Sequence, residues 1–289
     1  EACAGAHYWA RQISEMGHDV RLIPPAYVKP FVKRQKNDAS DAEAICEALQ
    51  RPTMRFVAVK SEEQQAAAIA FRARDLLVRQ RTQIINSLRG HLNEFGLIVP
   101  KGPTYVGRLL EMVTNQSHTF PETLRPVLDI LIDQLNSLNE KISDLDCEIA
   151  ERTRHDKDAQ RLQTIPGIGP VTAAAVLALA PPPETFGRGR DFAAWVGLTP
   201  MQHSTGGKQK LGRISKMGEQ TLRRLLIIGA SAVVRWAARK GAPSGSWLES
   251  MLSRKPRMLV TVALANKMAR IVWSLLAKGG EYKASAAAG

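Results

Sequence analysis

LRPVLDILIDQLNSLNEKISDLDCEI, residues 124–149, places Leu124, Leu128, Leu131, Leu135, Leu138, Ile142, Leu145 and Ile149 at spacings that alternate between four and three. That alternation lines all eight along one stripe of an α-helix. It persists over more than three heptads, the pattern of a coiled coil or a long helical hairpin, with a packed core helix as the plainer reading. Upstream, residues 61–95 read as a second long helix, with Ile69, Leu76, Ile84, Leu88, Leu92 and Phe95 in an approximate stripe. Arg72, Arg74, Arg79, Arg81 and Arg89 run along it, and the PKGP break at 100–103 separates the two helices.

Toward the N-terminus the pattern shortens. Residues 3–17 predict a helix with Tyr8, Trp9, Ile13 and Met16 on one side and Gly17 as its stop. Asp19 to Ile23 is a strand candidate closed by Pro24 and Pro25, and 26–36 reads as a basic loop. A helix then starts at the Asn37-Asp38 cap and runs to about Gln50. A lone strand makes no sheet, so its partners are expected outside the chain or missing. Toward the C-terminus, a Pro-Gly-Ile-Gly-Pro turn at 166–170 precedes an Ala-rich helix, and 191–197 forms a short helix. A Gly- and Lys-rich loop at 203–213 leads to helices over about 218–239 and 256–278, with a loose tail from Ala284. Three regions follow: 1–58, 59–155 and 156–289. The fold class is mainly α with a partial α/β element.

The chain has 289 residues, 44% of them hydrophobic, which excludes a disordered chain. Its formal net charge is +13, and all of it arises in residues 201–289, which hold 16 basic and 3 acidic residues. Nine of those cations lie between 201 and 240 against Glu219 alone. Such one-sided charge implies a polyanion, either nucleic acid or an anionic membrane surface, and glycine turns interrupting the basic tract disfavour the membrane. Three scattered cysteines form no CxxC pair, which argues against a disulfide framework and a structural zinc site. No apolar run reads as a membrane span, so a soluble cytoplasmic protein is expected.

Three constellations could carry chemistry. Asp38 and Asp41 share one face of a helix start, a placement suited to Mg²⁺, with simple capping of free N–H groups as the plainer reading of the spacing alone. The Gly167-Ile168-Gly169 turn resembles a helix-hairpin-helix motif whose glycines let backbone N–H groups approach a phosphate, or is a tight turn between packed helices. Ser204 sits among glycines with Lys208, Lys210, Arg213 and Lys216 nearby to neutralise a phosphodiester, and Arg223 and Arg224 extend the basic tract. The alternative is a flexible polar loop.

EACAGAHYWA at 1–10, KNDASDAEA at 36–44, the glycine turn within 165–175 and FAAWVGLTPMQHSTGGKQKLGRISKMG at 192–218 together resemble one family. It is the DEDD insertion-sequence transposases of the IS-one-ten class, which include pilin-gene invertases and bridge-RNA-guided recombinases. The resemblance implies a RuvC-like, RNase-H-fold N-terminal domain, a coiled-coil insert, and a C-terminal transposase domain. It aligns Glu1, Asp38 and Asp41 with three of the family's four acids, as catalytic Mg²⁺ ligands, and Ser204 with its nucleophilic serine. It further implies DNA cleavage and rejoining through a phosphoserine, a guide RNA from the element, a homodimer or homotetramer, and a bacterial, nucleoid-associated setting. The family's first acid lies on a strand upstream of the position of Glu1, so a truncated chain with an incomplete RuvC-like domain is expected. A nucleic-acid-binding remnant without catalysis is the rival expectation, and a covalent DNA–protein adduct would tell the two apart.

Overall fold

The computed structural model describes residues 1–33, 37–114 and 120–283. The expected loose tail from Ala284 and the 34–36 end of the basic loop lie outside the described residues. The chain divides into two compact units, Glu1–Ala66 and Ala67–Gly289.

In the first unit, α1 spans Ala6–Glu15, α2 spans Pro25–Val28 and α3 spans Asp38–Leu49, with one 3-10 turn at Lys29–Phe31. The expected basic loop is therefore partly helical, because Pro25 and Pro30 sit in first turns, where the missing N–H leaves no helical bond unmade. The expected strand at 19–23 is reduced to one antiparallel bridge, Leu22 to Val57. Its partners come from within the chain: Val57 N–H donates to Leu22 O at 2.7 Å, and Ala2 N–H donates to Ile23 O at 2.8 Å. Ile23, Val28, Ala44 and Ala48 form the buried core of this unit, covered by Phe31, Ile45, Met54 and Phe56. The apolar side of α1 behaves otherwise, for Tyr8, Trp9, Ile13 and Met16 are all exposed.

A long helix, α4 (Glu62–Asn93), is followed by α5 (Val106–Thr114) and α6 (Arg125–Arg152). Arg74 of α4 pairs with Asp146 of α6, and Arg81 Nη1 meets Asn139 Oδ1 at 3.4 Å. As the residue number rises on α4 it falls on α6, so the two helices run antiparallel. Leu128 and Leu135 close over Leu88, Leu92, Leu97, Val99, Leu109 and Val113. Every position of the 124–149 stripe is buried or half-buried within the single chain. Of the sequence readings, the helical hairpin describes this geometry. The α4 stripe is only half realised: Leu88 and Leu92 are buried, but Ile69, Leu76 and Phe95 are exposed while Ala68 and Phe71 turn inward.

The remaining elements are α7 (Lys157–Gln163), α8 (Pro170–Leu179), α9 (Gly189–Trp195), β1 (Pro200–Gln202), β2 (Leu211–Ile214), α10 (Gln220–Lys240), α11 (Trp247–Leu252) and α12 (Arg257–Lys278). Helix α7 is the helical stretch expected before the glycine turn, whereas α5 and α11 are additions to the sequence reading. Helix α12 is long and apolar enough, by composition, to cross a membrane, contrary to the sequence reading. Here it is a core helix: Val260, Ala265, Met268, Ala269 and Val272 are buried, most of them in one cluster with Leu222, Leu226 and Ala230 of α10 and Phe192 of α9. The described residues are thus mainly helical, with one two-stranded sheet.

Candidate functional site

Ser204 lies on an arm, not a loop. Ser215 N–H donates to Thr199 O at 2.8 Å, Pro200 pairs with Ile214, and Gln202 pairs with Leu211 across a register irregularity. Beyond them His203 N–H donates to Lys210 O at 2.8 Å, and Thr205 bridges Lys208. Gly206 and Gly207, with φ of 54° and 75°, turn the chain between them. A two-residue turn with positive φ at both positions matches the right-handed twist of paired strands, and glycine takes that backbone without strain. The segment read as a Gly- and Lys-rich loop is therefore a hydrogen-bonded hairpin, and every residue from Pro200 to Arg213 is exposed.

The serine is oriented by its own hairpin, since Ser204 Oγ accepts the Lys210 N–H at 3.2 Å. The His203 ring lies over Gly212, where an added Cβ would meet its ring atoms at 3.0 Å. Lys208, Lys210, Arg213 and Lys216 form no ion pair with any described residue. Lys216 sits at the arm's base in the left-handed region, φ 55°, with its N–H donating to Gly197 O at 3.1 Å.

The base is built from two glycines. At Gly218 an added Cβ would lie 1.7 Å from Trp195 O, and at Gly197 it would lie 2.0 Å from Met217 O; both have φ of 80°. Only glycine lets the chain enter and leave the arm this close to α9.

Two predicted phosphate contacts have other partners. Arg223 Nη1 donates to Val196 O at 2.9 Å and Met217 O at 3.1 Å, bracing the arm's root. Arg224 pairs with Asp75 of α4, whose other oxygen accepts the Thr221 hydroxyl at 2.7 Å. Neither guanidinium is free in the way the tract of cations suggested. The glycine turn divides similarly. Gly167, φ 91°, faces Gly229 of α10, where an added Cβ would meet the Gly229 carbonyl oxygen at 2.8 Å, so its glycine serves helix packing. Gly169 is exposed, with nothing crowding its Cβ position, and precedes Pro170 at the start of α8.

The acids belong to the first unit. Asn37 Oδ1 accepts the Ser40 N–H at 2.7 Å and caps α3, so Asp38 and Asp41 in its first turn are not its side-chain cap. Asp38 is exposed and Asp41 half-buried. Lys33 donates to Glu43 of the same helix at 2.5 Å, and that bond raises the Lys33 pKa. Glu1 is exposed, beside the Ala2–Ile23 bond. Among the described residues no group of three His, Cys, Asp or Glu side chains could hold a metal ion. The expected three-acid set is therefore not gathered, and carboxylates brought together without a cation would repel one another.

The family profile described as "Transposase IS116/IS110/IS902 family" matches residues 159–243, and a DEDD-type transposase profile matches residues 2–96. A Pseudomonas aeruginosa protein named "Probable family 20 transposase" is 50% identical over 98% of this chain and 84% of its own length. The transposase for insertion sequence element IS1328 of Yersinia enterocolitica is 42% identical, over 96% of this chain and 83% of its own. That for IS1111A of Coxiella burnetii is 40% identical, over 99% and 79% respectively.

Proposed function

Because this chain belongs to the IS116/IS110/IS902 family of insertion-sequence transposases, we propose that it cleaves and rejoins DNA with Ser204 as the nucleophile. The observation that carries this reading is the arm: an exposed hydroxyl fixed by the Lys210 N–H on an acid-free hairpin with four unpaired cations at its tip and base. Ser204 Oγ attacks phosphorus, forming the O–P bond of a phosphoserine, while the bond to the leaving sugar oxygen breaks. The serine's proton passes to water, and the leaving oxygen takes one up. Lys208, Lys210 and Arg213 offset the charge that grows on the phosphate oxygens. Rejoining is the reverse attack by a sugar hydroxyl on the phosphoserine.

Asp38 and Asp41 fit Mg²⁺ as a pair, since that ion is held by one or two carboxylates and takes water and phosphate oxygens for the rest. Bound there it would supply Lewis-acid stabilisation of a phosphoryl oxygen. Glu1 is the third acid of this assignment by resemblance. The RuvC-like character of the first unit, a guide RNA, and assembly as a homodimer or homotetramer belong to the same proposal. The 201–289 charge supports the nucleic-acid partner, with Gly169 at the start of α8 as a further backbone contact.

The test is the covalent adduct. With target DNA, the element's RNA and Mg²⁺ supplied, Ser204→Ala is expected to abolish the adduct seen on denaturing gels while DNA affinity stays within about twofold, one exposed hydroxyl contributing at most a modest hydrogen bond. An adduct of normal amount would overturn the assignment. Asp41→Asn is expected to lower adduct yield and to be partly restored by raised Mg²⁺. Binding with no adduct from the unsubstituted protein would favour a binding module.

A further inference from the structure

Away from the arm, the second unit holds a cleft of about 760 Å³ between α9, α11 and α12. Its walls carry Arg188, Arg190, Lys267 and Arg270 together with Trp247 and Trp273, and no carboxylate lines it. Arg190, Lys267 and Arg270 form no ion pair with a described residue, and Arg188 has only a 3.5 Å contact to Asp191. Four cations around one recess repel one another unless an anion joins them. The backbone enforces the crowding: an added Cβ at Gly189 would meet Arg270 O at 2.9 Å, so glycine there lets the start of α9 lie against α12.

The tryptophans decide what kind of anion. Trp273 Nε1 donates to Pro183 O at 3.0 Å, which anchors that indole in the wall, and Lys267 Nζ lies 4.8 Å from the centre of the Trp247 ring, which sets a cation against an aromatic face. Phosphate alone needs no aromatic surface. Cations interleaved with aromatic rings suit a phosphate attached to a flat, stackable base, the arrangement that binds unpaired strands. A recess of this size takes a splayed nucleotide, whereas a duplex keeps its bases stacked inside. The cleft is also tied to the serine arm, for Asn266, one of its lining residues, donates Nδ2 to Leu198 O at 3.2 Å, just before β1.

We propose that this cleft binds an unpaired segment of nucleic acid, with Arg190 and Arg270 on phosphates and Trp247 against a base. The proposal rests on the nucleic-acid reading of the chain but not on Ser204 chemistry. It is tested on the full chain by fluorescence anisotropy with a labelled ten-nucleotide single-stranded DNA, an RNA of the same sequence, and the matching DNA duplex, over a salt series. The double variant Arg190→Ser/Arg270→Ser is expected to weaken single-strand binding at least about fivefold and to make the salt slope shallower by about 1.4, two phosphates at 0.7 each. Duplex affinity is expected to stay within twofold. Trp247→Leu is expected to remove part of the tryptophan quenching by the single strand, and Trp247→Phe to retain the affinity. A loss confined to the RNA or to the DNA strand supports the site and names its sugar. Unchanged single-strand affinity and slope, or an equal loss on duplex, overturns the proposal. Ser204→Ala reports separately: an adduct that persists there refutes the nucleophile and leaves the cleft result standing, and an unresponsive cleft leaves the adduct standing.

Discussion

The Ser204 arm leaves a helical core at two root positions, Gly197 and Gly218, that admit no side chain, whereas Asp38 and Asp41 stand on a helix that buries only Ala44 and Ala48. The arm's root is braced by Arg223 on two carbonyls, and behind it lies a core drawing on α4, α6 through α10 and α12. The acids' unit has a core of four buried residues. The difference teaches how each candidate group obtains its position. The serine is oriented before any ligand arrives, by backbone pairing that extends from the packed core. The acids have a capped helix and little else beneath them, so a cation and a phosphate would do part of their ordering.

The largest effect is expected at the root. Gly218→Ala combines left-handed backbone with a clash against the Trp195 carbonyl, and should destabilise the second unit by about 4 kcal/mol or more in urea unfolding. Gly207→Asn at the open tip should change stability by less than about 0.5 kcal/mol, since Asn tolerates positive φ. Equal effects at tip and root would erase the contrast between a rooted arm and a free one. Next is Ala48→Asp, which places a charge in the small core and should cost about 3 kcal/mol. Limited proteolysis should then cut within residues 1–66 while 120–283 stays protected; loss of both together would show that the units do not unfold separately.

Smaller effects sharpen the division among cations. Arg224→Ala should cost about 1–2 kcal/mol of stability by leaving half-buried Asp75 unpaired, with no change in the salt dependence of DNA binding. The triple change of Lys208, Lys210 and Arg213 to Ser should leave stability nearly unaltered and make the duplex salt slope shallower by about 2.7, or 0.9 for each of three phosphates. A shallower slope from Arg224→Ala would mean that the Asp75 pair opens on DNA. In the first unit, Asn37→Ala is expected to lower stability by about 1 kcal/mol through the lost cap at Ser40, followed by hydrogen exchange at Ser40 and Asp41.

Much of this was legible from sequence. The cap at Asn37, the four-three stripe of α6 and the starts of α8 and α10 are local patterns, and a helix repeats its own geometry every few residues. The hairpin was legible in part, because Thr205-Gly206-Gly207-Lys208 carries a two-glycine turn signal. Its flanks, Met201 to Ser204 and Gln209 to Arg213, lack the apolar alternation that marks a strand with one buried face, and they have no buried face. Ser204 and the basic tract were found by residue type and neighbourhood. The cleft was not, since its cations lie at the start of α9 and on α12, some eighty residues apart, and no local run of charge announces them.

The sequence by itself determined the family, the long helices and the placement of all net positive charge beyond residue 200. Only the tertiary structure decided which cations face solvent and which glycines exist for packing. Arg224 meets Asp75 across 149 residues, Arg74 meets Asp146 across 72, and Gly167 touches Gly229. Helical periodicity is written in neighbours three and four apart, whereas pairing and close approach depend on which distant segment the packed core brings alongside.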